Sequence, residues 1–438
     1  MTAVVDDHHS DFDRAGTFAA VKDLFAKCHE DGGYFPMLRM ARDRYYCLPK
    51  LDSPPGRTMT FRGRKVIQWA INNYLGLAER PELIEVATEA AARWGIGAPM
   101  GSRFMTGNTD QHEALEAALS RFFAKPSTVL FNYGYLGVLG TVSSLVAKED
   151  IIVIDRQSHA SMMDAAFSSH RFLPFRHNDL ESLERSLKRA SRDCRGGILV
   201  MVEGVYGMTG DLADLPGIIA LKDRYGARLF VDDAHGVGSI GPGGRGTGVH
   251  LGVQQGVDIS FGTFAKAFAA IGGFACADEP VTEYIRYNAR SQIFAKSLPL
   301  VVVAVLLKAL EIIEREPELV ERLWSNARKL QHGLRELGFE LGNTQSAITP
   351  VYLPLDGVDA AMKIVSKMRD EKGVFISAVM YPVVPMGVVL CRLVPSASHT
   401  DEDIALTLKA FAEARDELGV GTVFPSSWTG SAAHQGET

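Results

Sequence analysis

Cysteine is scarce in this chain: five residues in 438 (Cys28, Cys47, Cys194, Cys276, Cys391), none in a CxxC pair. Odd in number and widely spaced, they form neither a disulfide framework nor a zinc-ligand pattern, which fits a reducing compartment. Long apolar runs are missing too. The longest, "LPLVVVAVLL" (298–307), stops at Lys308 and is too short to cross a bilayer, so it reads as a buried helix. Excess positive charge is also absent. A formal net charge of −6 leaves no basic footprint for nucleic acid or an anionic membrane. The first stretch, "MTAVVDDHHSDFDRAG", is acidic and lacks the positive and apolar regions of a secretory leader. The expectation is a cytoplasmic protein without a transmembrane segment and without a nucleic-acid partner.

What is present is an alternation. The short apolar runs "STVLF" (127–131), "IIVI" (151–154), "ILVMV" (198–202), "RLFV" (228–231) and "DISF" (258–261) are strand-like. Helical patterns lie at 81–94, 112–124, 134–146, 179–190 and 213–225. Buried runs without polar alternation, most of them separated by helices, predict an α/β fold with a mainly parallel sheet covered on both faces. Two long helices (299–315 and 317–337) then lead to a smaller α+β part holding "AITPVYL" and "VVLCRLV". The division expected is an N-terminal arm (1–60, with a helix at 17–30), a large domain (61–298), a C-terminal α+β domain (299–423) and a disordered tail (424–438).

Open α/β sheets bind ligands beyond the carboxyl ends of their strands. There the polar residues collect. Asp232 and His235 follow "RLFV", His159 follows "IIVI", and "EGVYGMTGD" (203–211) follows "ILVMV". Gly134 and Tyr135 open the helix after "STVLF", and free N–H groups at such a start can hold an anion. After "DISF" comes Lys266, in "SFGTFAKAFAAIGGF" (260–274), among small residues that would let a bound group approach. Singly, Asp232 reads as a helix cap, His159 as a helix-start histidine and "NYGYLG" as a turn. Together with the lysine they have one economical explanation, pyridoxal phosphate (PLP). The lysine forms a Schiff base, the acid keeps the pyridine nitrogen protonated, the histidine stacks on the ring and the helix start takes the phosphate. "GVGSIG" (236–241) is a literal GxGxxG after a strand, but "PGGRGTG" follows, so it opens no helix and is not a dinucleotide site.

The motifs "NNYLGL" (72–77), "GAPMGSRFMTGN" (97–108), "DRQSHASMMD" (155–164), "VDDAHGVGSIGPGGRGT" (231–247) and "GTFAKAFAAIGGF" (262–274) occur in that order. Over residues 60–415 the chain resembles the α-oxoamine synthases, PLP enzymes of the aspartate-aminotransferase fold (fold type I) that join an amino acid to an acyl thioester and release carbon dioxide. "FRHND", "YNARSQIF" and "LWSNARKL" are most similar to the bacterial serine palmitoyltransferases of that family. The resemblance implies Lys266 as Schiff-base lysine and proton shuttle, Asp232 as partner of the pyridine nitrogen and His159 stacked on the ring. It implies His235 at the cofactor's phenolic oxygen, and Thr263 with the backbone of Gly134 and Tyr135 at the phosphate. Arg392 would bind the amino-acid carboxylate, and Asn73 and Ser102 would lie near the substrate and the partner subunit. The implied protein is a homodimer with its active site at the subunit interface. Its substrates would be L-serine and a long-chain acyl thioester on coenzyme A or a carrier protein, and its product 3-oxosphinganine.

Three departures each delete a hydroxyl that relatives usually carry: Gly207, Ala265 and Ala295. Each lost neutral hydrogen bond is worth about 0.5–1.5 kcal/mol, which predicts weaker cofactor retention rather than loss of the site. Lys296 is expected to compensate by reaching the partner subunit's cofactor phosphate. Val138 stands where asparagine is common, which predicts an altered substrate pocket. The alternatives are the same chemistry with glycine, alanine or cysteate, a transaminase, and a weakened regulatory or scaffold subunit.

Overall fold

The computed structural model describes residues 23–30, 48–97, 99–355, 357–381, 384, 386–421 and 423–424. The chain forms two compact units, Met1–Pro49 and Lys50–Thr438. In the first, the helix Ala26–Glu30 is described. Residues 23–25 of the expected arm helix are coil and turn instead, while its residues 17–22, and the tail beyond Phe424, lie outside the described residues.

Within the second unit the strands are β1 (Thr58–Phe61), β2 (Arg64–Gln68), β3 (Ser127–Phe131), β4 (Ile151–Asp155), β5 (Phe172–Phe175), β6 (Ile198–Glu203) and β7 (Arg228–Asp232). They continue with β8 (Ile259–Thr263), β9 (Gly273–Ala277), β10 (Thr349–Leu353), β11 (Val374–Phe375), β12 (Ser377–Val379) and β13 (Val389–Leu393). Seven make one sheet in the order β3-β9-β8-β7-β6-β4-β5. From β8 to β5 every pairing is parallel, while β9 runs antiparallel to both β8 and β3. This is the aspartate-aminotransferase-like architecture expected, a mixed sheet flanked by helices with a smaller C-terminal sheet.

Every residue of β4, β6 and β8 is buried, as an uninterrupted apolar run sandwiched between helix layers requires. One layer includes helices Gly134–Leu145 and Ala160–Ser168, whose Val138, Val142, Met162 and Ala165 share a core with Ile152, Met201 and Phe261. The opposite layer includes Leu180–Asp193 and Leu215–Arg224, packing Leu183, Leu187 and Ile218 on Val153, Val200 and Leu229. Two small sheets complete the unit. In one, β10-β13-β12 are antiparallel; in the other, β11 lies parallel to β2 of the β1-β2 hairpin. Among the described residues no helix is long and apolar enough to cross a membrane.

Candidate active site

The carboxyl ends of β4, β6, β7 and β8 bring the site together. β6 and β7 are in parallel register with Glu203 opposite Asp232, so two acids leave the sheet side by side. Both are buried, at 6% and 5% exposure. Burial pushes the Asp232 carboxyl up, while the charges of Lys266 and His159 and the N–H of Ala234 (3.1 Å) pull it down. Burial and the neighbouring Asp232 raise Glu203 to about 8. Glu203 accepts from the backbone N–H groups of Gly207 (3.2 Å) and His159, and so ties two loops to one strand end.

Lys266 follows β8 on a turn in which its carbonyl accepts from Ala269 N–H (2.9 Å), Ala269 being left-handed at φ 52°. Phe264, Ala267 and Phe268 are buried beneath it, which leaves Ala265 exposed and Lys266 half-buried above the core. Burial lowers its ammonium to about 8, against the opposing attraction of Asp232 and Glu203. The small residues around it serve close backbone packing. A Cβ on Gly273 would sit 2.9 Å from Gly134 Cα, and one on Gly238 would sit 2.4 Å from Ala267 Cβ. Gly238, inside the misleading GxGxxG, is left-handed (φ 77°), and residues 236–241 form no helix.

His159 caps the helix Ala160–Ser168. Its Nδ1 accepts from Ser161 N–H (3.2 Å) and pairs with Ser161 Oγ (2.8 Å), so Nδ1 is an acceptor and the ring is neutral. Burial lowers its pKa further. Tyr135 stands edge-on to this imidazole, with centroids 6.3 Å apart, and its hydroxyl donates to Asp164. Gly134 begins the helix Gly134–Leu145 directly against β8, where a Cβ would approach Thr263 Oγ1 to 2.9 Å. Thr263 Oγ1 donates to Gly272 O (2.9 Å) and accepts from Ala265 N–H (3.2 Å), so a phosphate here would have to recapture that proton.

His235 is half-buried, and its Nδ1 pairs with the hydroxyl of Tyr74 at 2.7 Å. Arg392, on β13, donates through Nη2 to Asn72 Oδ1 (3.1 Å), and its charge partly opposes the burial that pushes the Tyr74 phenol up to about 12. Asn72, rather than Asn73, is thus the asparagine joined to Arg392. Asn73 is 7% exposed; its Oδ1 accepts from Ala78 N–H (3.2 Å), and its buried Nδ2 has no hydrogen-bond partner among the described residues. Ser102 lies in the loop 99–107, where its carbonyl accepts from Met105 and Gly107, and that loop is bonded to Ser297.

Lys296 is exposed, and its Nζ donates to Met100 O (2.7 Å) of the same chain, which ties it to the loop 99–107. One expectation is corrected, that Val138 alters a substrate pocket. Val138 is 1% exposed in the core between its helix and the sheet, where an asparagine amide would lack water. Glu203, Asn72, Tyr74 and Asp233 lie in motifs quoted above but were given no role there. Glu203 follows a strand run as directly as Asp232 does, and that position was the available signal. Asp233 is raised by burial to about 6 and accepts from Thr247 N–H and Oγ1, both at 2.6 Å.

Comparison with known proteins places this geometry. The family model for aminotransferase class I and II matches residues 64–411. A cysteate-C-fatty acyltransferase of Capnocytophaga ochracea is 45% identical, over 92% of this chain and 96% of its own. A serine palmitoyltransferase of Bacteriovorax stolpii is 36% identical, over 85% and 88%. A solved serine palmitoyltransferase from S. paucimobilis, with bound PLP–myriocin aldimine, is similar at TM-score 0.84 and 32% identity, over 91% of this chain and 100% of that one.

Proposed function

We propose that this chain, which belongs to the aminotransferase class I and II family and within it to the α-oxoamine synthases, condenses L-cysteate, or secondarily L-serine, with a long-chain acyl thioester. A bond forms between the amino acid's α-carbon and the acyl carbonyl carbon. The thiol leaves, and the carboxylate departs as carbon dioxide. The observation that carries this reading is the convergence, at one end of the sheet, of a buried acid, a lysine depressed by burial and a glycine-opened helix start.

The family's cofactor is pyridoxal phosphate, and the residues present fit it. The gap at Gly134 is one a Cβ would fill, and Asp232 is an acid sealed from water in reach of Lys266's charge. Bound there, the cofactor supplies an electron sink for the amino acid's α-carbon. Lys266 would hold it covalently, Asp232 at its ring nitrogen, His159 at its ring face, and Gly134, Tyr135 and Thr263 at its phosphate. Lys266 Nζ, with its pKa lowered to about 8, has a sizeable neutral fraction near physiological pH, and that form can take the α-proton. The planar fork of Arg392 suits the amino acid's carboxylate in a bidentate pair. Glu203 keeps the His159 and Gly207 loops in register with Asp232.

Cysteate is placed before serine because the cysteate acyltransferase is the more similar of the two relatives, 45% against 36% identical. We further propose a homodimer in the cytoplasm. The test is product mass and kcat/KM with cysteate, serine, glycine and alanine, each with palmitoyl-coenzyme A. The reading expects a 3-oxo amine with cysteate turned over best. Preference for serine would establish the second reading, and no 3-oxo amine from any of the four would refute condensation.

A further inference from the structure

The resemblance to the α-oxoamine synthases implies a serine where Gly207 stands, and the surroundings of Gly207 give its missing side chain a purpose. A Cβ there would lie 2.5 Å from His235 Nε2 and 2.8 Å from His235 Cδ2. The imidazole therefore occupies the volume a side chain at 207 would need. Its other nitrogen, Nδ1, is 2.7 Å from the Tyr74 hydroxyl.

The direction of that hydrogen bond follows from what surrounds Tyr74. Its ring stands edge-on to His235, and the residue is 1% exposed. The hydroxyl has a single proton, and among the described residues His235 Nδ1 is its one hydrogen-bond partner. Leaving a buried O–H unpaired is costly, so the proton goes to Nδ1. A neutral imidazole with an accepting Nδ1 carries its own proton on Nε2.

We propose that Tyr74 and Gly207 are positioning residues for His235: Tyr74 fixes the tautomer with the proton on Nε2, and Gly207 leaves the room in which that N–H is aimed. On the reading above, His235 then donates that proton to the cofactor's phenolic oxygen.

The consequence is opposite to that of a simple missing hydroxyl. If Gly207 were only a lost hydrogen bond, Gly207→Ser would tighten pyridoxal phosphate binding. Here the added Cβ displaces the imidazole, and the cofactor's dissociation constant rises about three- to tenfold, the worth of one neutral hydrogen bond. The tautomer is read by long-range proton–nitrogen NMR of protein labelled with nitrogen-15 histidine, before and after saturation with pyridoxal phosphate. The His235 signals are assigned by their loss in His235→Gln. The wild type shows the Nε2–H form in both states, and Tyr74→Phe shows a mixture of tautomers. A wild-type Nδ1–H form overturns the proposal, as does a Gly207→Ser protein that binds the cofactor as tightly as wild type or more so. Either result leaves the condensation reading intact, whereas a wild type that binds no pyridoxal phosphate defeats that reading and not the tautomer assignment.

Discussion

His177 is held between two acids in a way that makes its removal costly and pH-dependent. Its Nδ1 lies 3.1 Å from Asp155 at the end of β4, and its Nε2 lies 2.8 Å from Asp211. The imidazole is 9% exposed and the acids 1% and 16%. Burial alone would lower the His177 pKa, but the hydrogen bonds and charges of the two carboxylates raise it from 6.5 to about 10. The folded value thus exceeds the unfolded one. The stabilisation is fully present below pH 6.5 and is lost as pH rises through about 10. At about 1.4 kcal/mol per pH unit that interval is worth on the order of 5 kcal/mol, and deleting one member of a buried ion group costs about 3–5 kcal/mol. His177→Gln should therefore lose about 3–5 kcal/mol at pH 6.5. Urea unfolding at fixed protein concentration, followed by tryptophan fluorescence, measures this, and the gap to wild type should shrink steadily toward pH 10. A loss under about 1 kcal/mol at pH 6.5, or a gap that does not change with pH, would refute the argument.

Two further outcomes follow from the site. Arg392→Ala should weaken amino-acid binding by about 2–5 kcal/mol, because a carboxylate would be left facing a buried position without its cation; unchanged affinity, read by spectral titration, would remove Arg392 from that role. The rate at which cofactor-free protein captures pyridoxal phosphate at Lys266 should rise with pH and level off above about 8, since burial lowers that ammonium and only the neutral amine reacts. A rate still climbing at pH 10, as for an ordinary surface lysine, would show that the amine is not depressed.

The strands that carry the site were legible because each is a short, mainly apolar run ending in a polar residue. Helix Pro81–Trp94 was legible to the residue, having proline at its start and Gly95 at its end. β5 and β9 were not. β5 is an edge strand interrupted by Pro174, which removes a ladder donor, and β9 begins on Gly273 and is rich in small residues, so it reads as part of the lysine loop. Asp232, His159 and Lys266 could be found because each lies at the end of its own strand or within four residues of it. Tyr74 and His235 lie 161 positions apart, and His177 is joined to Asp155 and Asp211 across 22 and 34, so only the fold reveals those pairs. Gly207 is the same kind of case: sequence shows a missing hydroxyl, and only the packing shows that an imidazole fills its place.

Release of carbon dioxide tests the central claim most directly. Purified protein saturated with pyridoxal phosphate is given cysteate or serine labelled in the carboxyl carbon, together with palmitoyl-coenzyme A. Labelled carbon dioxide and free coenzyme A should appear in equal amounts, only when both substrates are present, and Lys266→Ala should abolish both while still binding the cofactor non-covalently. Coenzyme A released without carbon dioxide, a keto acid in place of a 3-oxo amine, or near-normal turnover by Lys266→Ala would contradict the account.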